Sequence, residues 1–192
     1  MLKIVEAPLR GQPDKICDQI VETIVDEYLR RDPHSRLDLQ ALGSHGMVMI
    51  GGVVDSKADF DSAELTRSVY ARIGYADGVE PFINIERPTE DVARTIVHGG
   101  AQGTAVMYGY ATRETREFLP RAVVYANAIA RRVDDLRMQD DRFSWLRADG
   151  KVQLAMDGER VVALTLVVEH TPDIDLTQLQ TALHEHVVVP VC

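Results

Sequence analysis

The chain of 192 residues has little cysteine and few aromatics: two cysteines, Cys17 and Cys192, one tryptophan, and 6% aromatic residues in all. Two thiols far apart, neither with a second cysteine nearby, exclude a disulfide framework and a zinc knuckle, so both are expected to be reduced. Long apolar runs are also lacking. The longest, such as "ALTLVV" at 163–168, fall far short of a bilayer-spanning helix. The opening "MLKIVEAPLR" leaves no room for the apolar region of a signal peptide, so a cytoplasmic protein without membrane contact is expected. Positive charge is in short supply, with 21 Lys and Arg against 30 Asp and Glu and a net charge of -9. Such a surface does not attract nucleic acid or anionic lipid, and any phosphate site must be local.

What is present is ordinary for a globular protein: 45% hydrophobic and 27% charged residues, enough for one or two domains. Ile16, Ile20, Ile24 and Tyr28 recur every four positions, flanked by Val21, Val25 and Leu29, and predict an amphipathic helix over 13–31. Pro13 suits its first position and Asp32-Pro33 ends it. "RLDLQAL" and "GMVMIGGVV" read as two strands joined through Gly43 to Gly46, the second apolar on both faces and therefore expected to be covered on both. Leu65, Val69 and Ile73 mark a helix closed by Gly74, and "PFINIE" a further strand. These form one strand-strand-helix-strand unit.

A long helix begins at Pro120, with Ala122, Ala126, Ile129, Val133 and Leu136 on one face. "KVQLAMDGERVVALTLVVEH" is a hairpin turning at Asp157-Gly158, and Leu176, Leu179, Leu183 and Val187 make the next helix. This second unit lacks a closing strand, leaving an edge that is either open or covered by another chain. Asp134, Asp135, Asp140 and Asp141 read as a solvated helix end and turn. His184 and His186 stand two apart on a helix, so they diverge rather than share a metal.

The stretches "GQPDKICDQIVETIVDEYLRRDP", "GMVMIGGVV", "RIGYADG", "MYGYATRET" and "SWLRADGKVQL" occur in an order and spacing that resembles the S-adenosylmethionine synthetase (methionine adenosyltransferase) family. The resemblance covers roughly residues 6 to 190. It implies an α+β fold made of two of the family's three pseudo-repeats: an N-terminal-like unit over 1–98, an incomplete central-like unit over 99–192, and no C-terminal domain. It further implies transfer of the adenosyl group of ATP to methionine, with Mg²⁺ and K⁺ assisting, at sites between two subunits.

Residue by residue, the resemblance makes Asp14 the Mg²⁺ ligand, Lys15 and Lys151 contacts to the polyphosphate, and Asp149 a contact to the nucleoside. The residues alone allow this. A hard cation bridging phosphates takes one or two carboxylates and keeps its waters, and Lys151 shares a strand face with Gln153, opposite Val152, Leu154 and Met156. They equally allow an Asp14 that merely favours the positive end of its helix.

Four positions depart from the family. Gln12 stands at a histidine, and a glutamine neither becomes a cation nor moves a proton. Val53 stands at a glutamate and Gly103, or Ala101 if the segment is anchored at its other end, at an aspartate; both carboxylates grip methionine's amino group in the family. Gln40 replaces a glutamate associated with K⁺, which puts that cation in doubt. The segment over 86–106 does not align securely.

The implied reading is a subunit of a hetero-oligomeric methionine adenosyltransferase, completed by another family chain or a second copy. The alternatives are a non-catalytic scaffold or regulator of a catalytic paralogue, and an adenosyltransferase with a changed nucleophile.

Overall fold

The computed structural model describes residues 1–44, 46–91 and 106–191. The chain divides into two compact units, one built from Met1–Lys15 with Tyr110–Cys192 and the other from Ile16–Gly109. Among the described residues each contains a three-stranded sheet, and the fold is α+β.

In the continuous unit, helix α1 (Pro13–Arg31) supplies the buried residues Ile16, Ile20 and Ile24, on the four-residue spacing that the sequence predicts. Strands β2 (Arg36–Ser44) and β3 (Met47–Asp55) form an antiparallel hairpin. Helix α2 (Ser62–Ile73) starts where the Asp61 carboxylate accepts the N–H groups of Ala63 and Glu64, and ends at the left-handed Gly74. Strand β4 (Glu80–Glu86) then returns parallel to β3, giving the order β2-β3-β4.

Among the described residues only one face of this sheet is covered. Val48, Ile50 and Val54 are buried, whereas on the other face Leu42, Met49 and Phe82, aligned across the strands, are 70%, 49% and 50% exposed. The expectation of a strand buried on both sides is therefore corrected. Apolar residues on both faces of β3 signal two-sided burial only if something covers the second side, and among the described residues of this unit nothing does.

The other unit carries the second sheet. Strands β5 (Leu146–Asp157) and β6 (Arg160–His170) form the hairpin that turns at Gly158. Its β5 edge is not left open, nor covered by another chain. Strand β1 (Leu2–Pro8), from the start of the same chain, pairs antiparallel with β5 from Leu2 opposite Asp157 to Pro8 opposite Lys151, giving the order β1-β5-β6. Sequence pattern does not announce β1 because Ala7 is its only buried residue.

Helix α3 (Arg121–Gln139) and helix α4 (Leu176–Leu183) supply the other wall of this core. Helix α4 continues through a π-helical turn at His184–Val188, in which Val187 is buried. Ile129, Val133, Val152 and Leu154 are fully enclosed. Asp134 is enclosed as well, at 5% exposure, so it does not belong with its solvated acidic neighbours.

Leu154→Ala is expected to lower stability by about 2–5 kcal/mol, since the enclosed site cannot collapse fully around the lost atoms. Urea unfolding followed by Trp145 fluorescence measures this; Trp145 packs at the edge of the same core, its ring 5.8 Å from that of Phe143.

Candidate functional site

The turn between β1 and α1 is held by backbone bonds that prolong the β1–β5 ladder. Leu9 N–H donates to the Gly150 carbonyl and Gly11 N–H to the Ala148 carbonyl, both at 3.0 Å. A Cβ at Gly11 would overlap the Ala148 backbone, so only glycine permits this close approach. The turn therefore lies against the stretch of β5 that carries Asp149 and Lys151. Gln12, Asp14 and Lys15 follow at once in the chain, and all five belong to one unit. Residues more than 130 positions apart in sequence are thereby brought to one end of one sheet.

Asp14 is exposed in the first turn of α1, where the helix dipole favours an anion. Asp149 is half-buried and Lys151 exposed, on the side of β5 opposite the enclosed Val152, Leu154 and Met156, as the alternation predicts. One or two accessible carboxylates suit a cation that retains water. Among the described residues no three Asp, Glu, His or Cys side chains are grouped to hold a metal on their own.

Gln12 has a structural task. Its Oε1 accepts the Lys15 backbone N–H at 3.0 Å, which satisfies one of the unbonded donors at the start of α1. Glutamine is an uncommon cap, and its one acceptor oxygen is occupied here.

Lys151 is not waiting in solvent. Its Nζ donates to both Glu6 oxygens, at 3.1 and 3.2 Å, while Gln153 Nε2 donates to Glu6 Oε1 at 2.8 Å. The Lys151 hydrogen bond, then that of Gln153, hold the Glu6 carboxyl below the usual carboxylate range. Sequence reasoning missed Glu6. The signal lies only in the register, which sets Glu6 opposite Gln153 and two pairs from Lys151, on the same face. The pair is half-exposed on both sides, so exchanging it for another anion costs little.

Gln40 and Val53 lie in the other unit, on the open face of its sheet. Gln40 pairs with Gly51, and Val53 with Asp38, so they are near neighbours there. A shallow hollow of about 500 Å³ occupies this face, lined by Asp38, Gln40, Leu42, Met49, Gly51 and Asn84 among others. Val53 stands at 41% exposure. Gly52 takes a left-handed φ of 143°, and a Cβ there would overlap the Asp38 carbonyl oxygen. Among the described residues Asp38 is the one ionisable side chain in the lining of the hollow. Gly103 and Ala101 lie outside the described residues.

With two like sheet-and-helix units in place, the class of the protein follows from comparison. Residues 2–97 match the model of the S-adenosylmethionine synthetase N-terminal domain, and 98–192 that of the central domain. The chain belongs to the S-adenosylmethionine synthetase family. It is 32% identical over 200 residues to the S-adenosylmethionine synthase of Aquifex aeolicus, with 97% of this chain and 53% of that protein covered. It is 33% identical over 189 residues to that of Sorangium cellulosum, covering 88% and 44%. The chain thus spans about half the length of the curated relatives it matches. No helix among the described residues is long and apolar enough to cross a membrane.

Two outcomes are expected. Gln12→Ala removes the cap and lowers stability by about 0.5–2 kcal/mol, and Gln12→Asp, a stronger capping residue, restores it, read from urea midpoints. Glu6 loses its favourable contact as pH falls below its ordinary value of 4.5 towards its lowered one, so the pair's contribution is complete above that range and absent below it. Lys151→Ala moves the Glu6 titration up, measured by carboxyl carbon NMR; an unmoved Glu6 would show the pair is not formed in solution.

Proposed function

We propose that this chain is one subunit of a methionine adenosyltransferase-type enzyme, active only when a second family chain, or a second copy, completes the site. The reaction is attack of the methionine sulfur, or of a related nucleophile, on the ribose C5′ of ATP. The C5′–O bond breaks, tripolyphosphate leaves, and water splits it to phosphate and diphosphate. The observation that carries the proposal is the bonding of the Leu9–Gln12 turn onto β5, which gathers Gln12, Asp14, Lys15, Asp149 and Lys151 in one unit.

In this reading Asp14 holds Mg²⁺ through an exposed carboxylate, and the ion screens the phosphate charge. Lys15 and Lys151 stabilise the departing polyphosphate, Lys151 by exchanging the Glu6 carboxylate for phosphate oxygens. Asp149 contacts the nucleoside. The amino end of methionine finds no carboxylate at Val53, and an ammonium left unpaired in a closed pocket is strongly disfavoured. That carboxylate has to come from a different family chain, since a second copy carries Val53 as well. The exposed row of Leu42, Met49 and Phe82 supports a partner, since an apolar stripe on a sheet face is stabilised by being covered. Gln40 leaves the K⁺ site without its charge.

The scaffold reading draws on the Gln12 cap: its acceptor oxygen serves α1, as it would in a protein that keeps the fold without the chemistry. A changed nucleophile draws on Val53 and the Leu42 and Met49 lining of the hollow, which suit an apolar group.

Mixing the purified chain with a complete family chain from the same cell should raise ATP- and methionine-dependent product formation above that of the partner alone. Lys151→Ala should lower the gain on the order of a hundredfold. No gain rejects the composite enzyme, and a stable complex whose activity ignores Lys151 favours the scaffold. Product only with thioethers or other nucleophiles lacking an amino group favours the third reading.

A further inference from the structure

Asp134 is an enclosed carboxylate on the second-last turn of α3, and the proposed chemistry makes no use of it. Its Oδ2 accepts the Arg10 backbone N–H at 3.1 Å. Its Oδ1 makes no hydrogen bond among the described residues and lies 3.8 Å from Arg137 Nη2. Burial pushes the carboxyl up from its ordinary range, against the pull of the Arg10 amide and of the Arg137 and Arg10 charges.

A carboxylate so placed is a poor device for stability. An enclosed charge with one strong hydrogen bond and a long ion pair recovers little of its lost hydration, and an apolar residue of similar size would serve the core better. What the carboxylate does provide is a fixed, directional acceptor for one particular N–H. That N–H belongs to Arg10, between the two residues bonded to β5 and two residues before Gln12. One turn further along α3, Met138 Sδ lies 3.9 Å from Arg10 Nη1, so the same helix face meets Arg10 at both backbone and side chain. Leu9 and Gly11 donate to β5, and Arg10, whose N–H points the other way as strand alternation requires, donates to α3. The turn is held from two sides.

We propose that Asp134 is a positioning residue for the Leu9–Gln12 turn, holding it and the start of α1, with Gln12, Asp14 and Lys15, against the Asp149 and Lys151 end of β5 so that they meet a polyphosphate as a preformed set. This rests on the phosphate-site reading above. Pre-organisation of this kind lowers the ordering cost of binding rather than adding a contact to the ligand.

The test uses the whole purified chain, as wild type, Asp134→Ala and Asp134→Asn. Hydrogen exchange of the Arg10 amide, read by NMR, should speed up about tenfold or more in Asp134→Ala, because its acceptor is gone. It should return towards wild type in Asp134→Asn, whose amide oxygen can accept the same N–H. Affinity for Mg²⁺-tripolyphosphate should fall about tenfold in Asp134→Ala and recover in Asp134→Asn. Asp134→Ala leaves a cavity and an orphaned N–H and so costs some stability of its own. The control is Asp134→Leu, apolar and of similar volume. Its urea midpoint should not fall although its tripolyphosphate affinity falls as in Asp134→Ala, which separates positioning from support of the core. An unchanged Arg10 amide, an undiminished affinity, or a loss of affinity matched by a loss of stability that Asn does not rescue would each overturn the proposal. If wild type binds no tripolyphosphate either alone or mixed with the family partner, the phosphate-site reading fails, and the exchange experiment by itself decides whether Asp134 anchors the turn.

Discussion

The antiparallel pairing of β1 with β5 is the constraint on which the rest of the candidate site depends. Seven register pairs fix β1 along β5, and the ladder then runs past the end of the strand into the turn through Leu9 and Gly11. A slip by one residue would reverse every side chain of β1, burying Glu6 and expelling Ala7, so the register is strongly specified. With it are set the partner of Lys151, the absence of a side chain at Gly11, and the entry of the chain into α1. The helix start adds a local requirement of its own, which Gln12 meets from within the turn.

The two sheets present different chemistry on their uncovered sides. The side of β5 away from the core carries Lys151, Gln153 and Asp149, with Glu6 beside them, a polar surface organised by one carboxylate. The open side of β3 carries Met49, Val53 and two glycines, with Leu42 and Phe82 on its neighbours, and Asp38 and Gln40 provide its polar character. The first surface carries charged groups of both signs. The second is mostly neutral. In the proposed reading, that contrast separates a phosphate end from a nucleophile end.

Much of the fold was legible because its signals are local. Four-residue spacing of isoleucines set α1, Asp61 and Gly74 bracketed α2, and Asp157-Gly158 marked the β5–β6 turn. What escaped was non-local or depended on the surroundings. β1 has too few buried positions to show alternation, and it becomes a strand only because β5 offers an edge. The Glu6–Lys151 pair spans 145 positions and follows from register alone. Asp134 reads as one of a run of surface acids, since nothing near it in sequence reveals that Arg10 will arrive above it. β3 reads as buried on both sides because its apolar residues record a need for cover without naming its source. The family resemblance named the candidate site residues, while the structure showed how Gln12 and Lys151 are already employed.

The discontinuity of one unit has a consequence for how the chain assembles. Residues 16–109 are contiguous, so that unit can close from what lies nearby in sequence as soon as they leave the ribosome. β1 is made before all of them yet must wait for β5, and its partner is separated from it by a long loop whose closure entropy is paid before any pairing is gained. A short strand that spends this interval alone is exposed to wrong partners. Lys3 and Glu6, charges on an otherwise apolar strand, discourage such pairing until β5 arrives. The residue that engages Lys151 in the folded chain is thus also one of the two charges that interrupt the apolar run of β1.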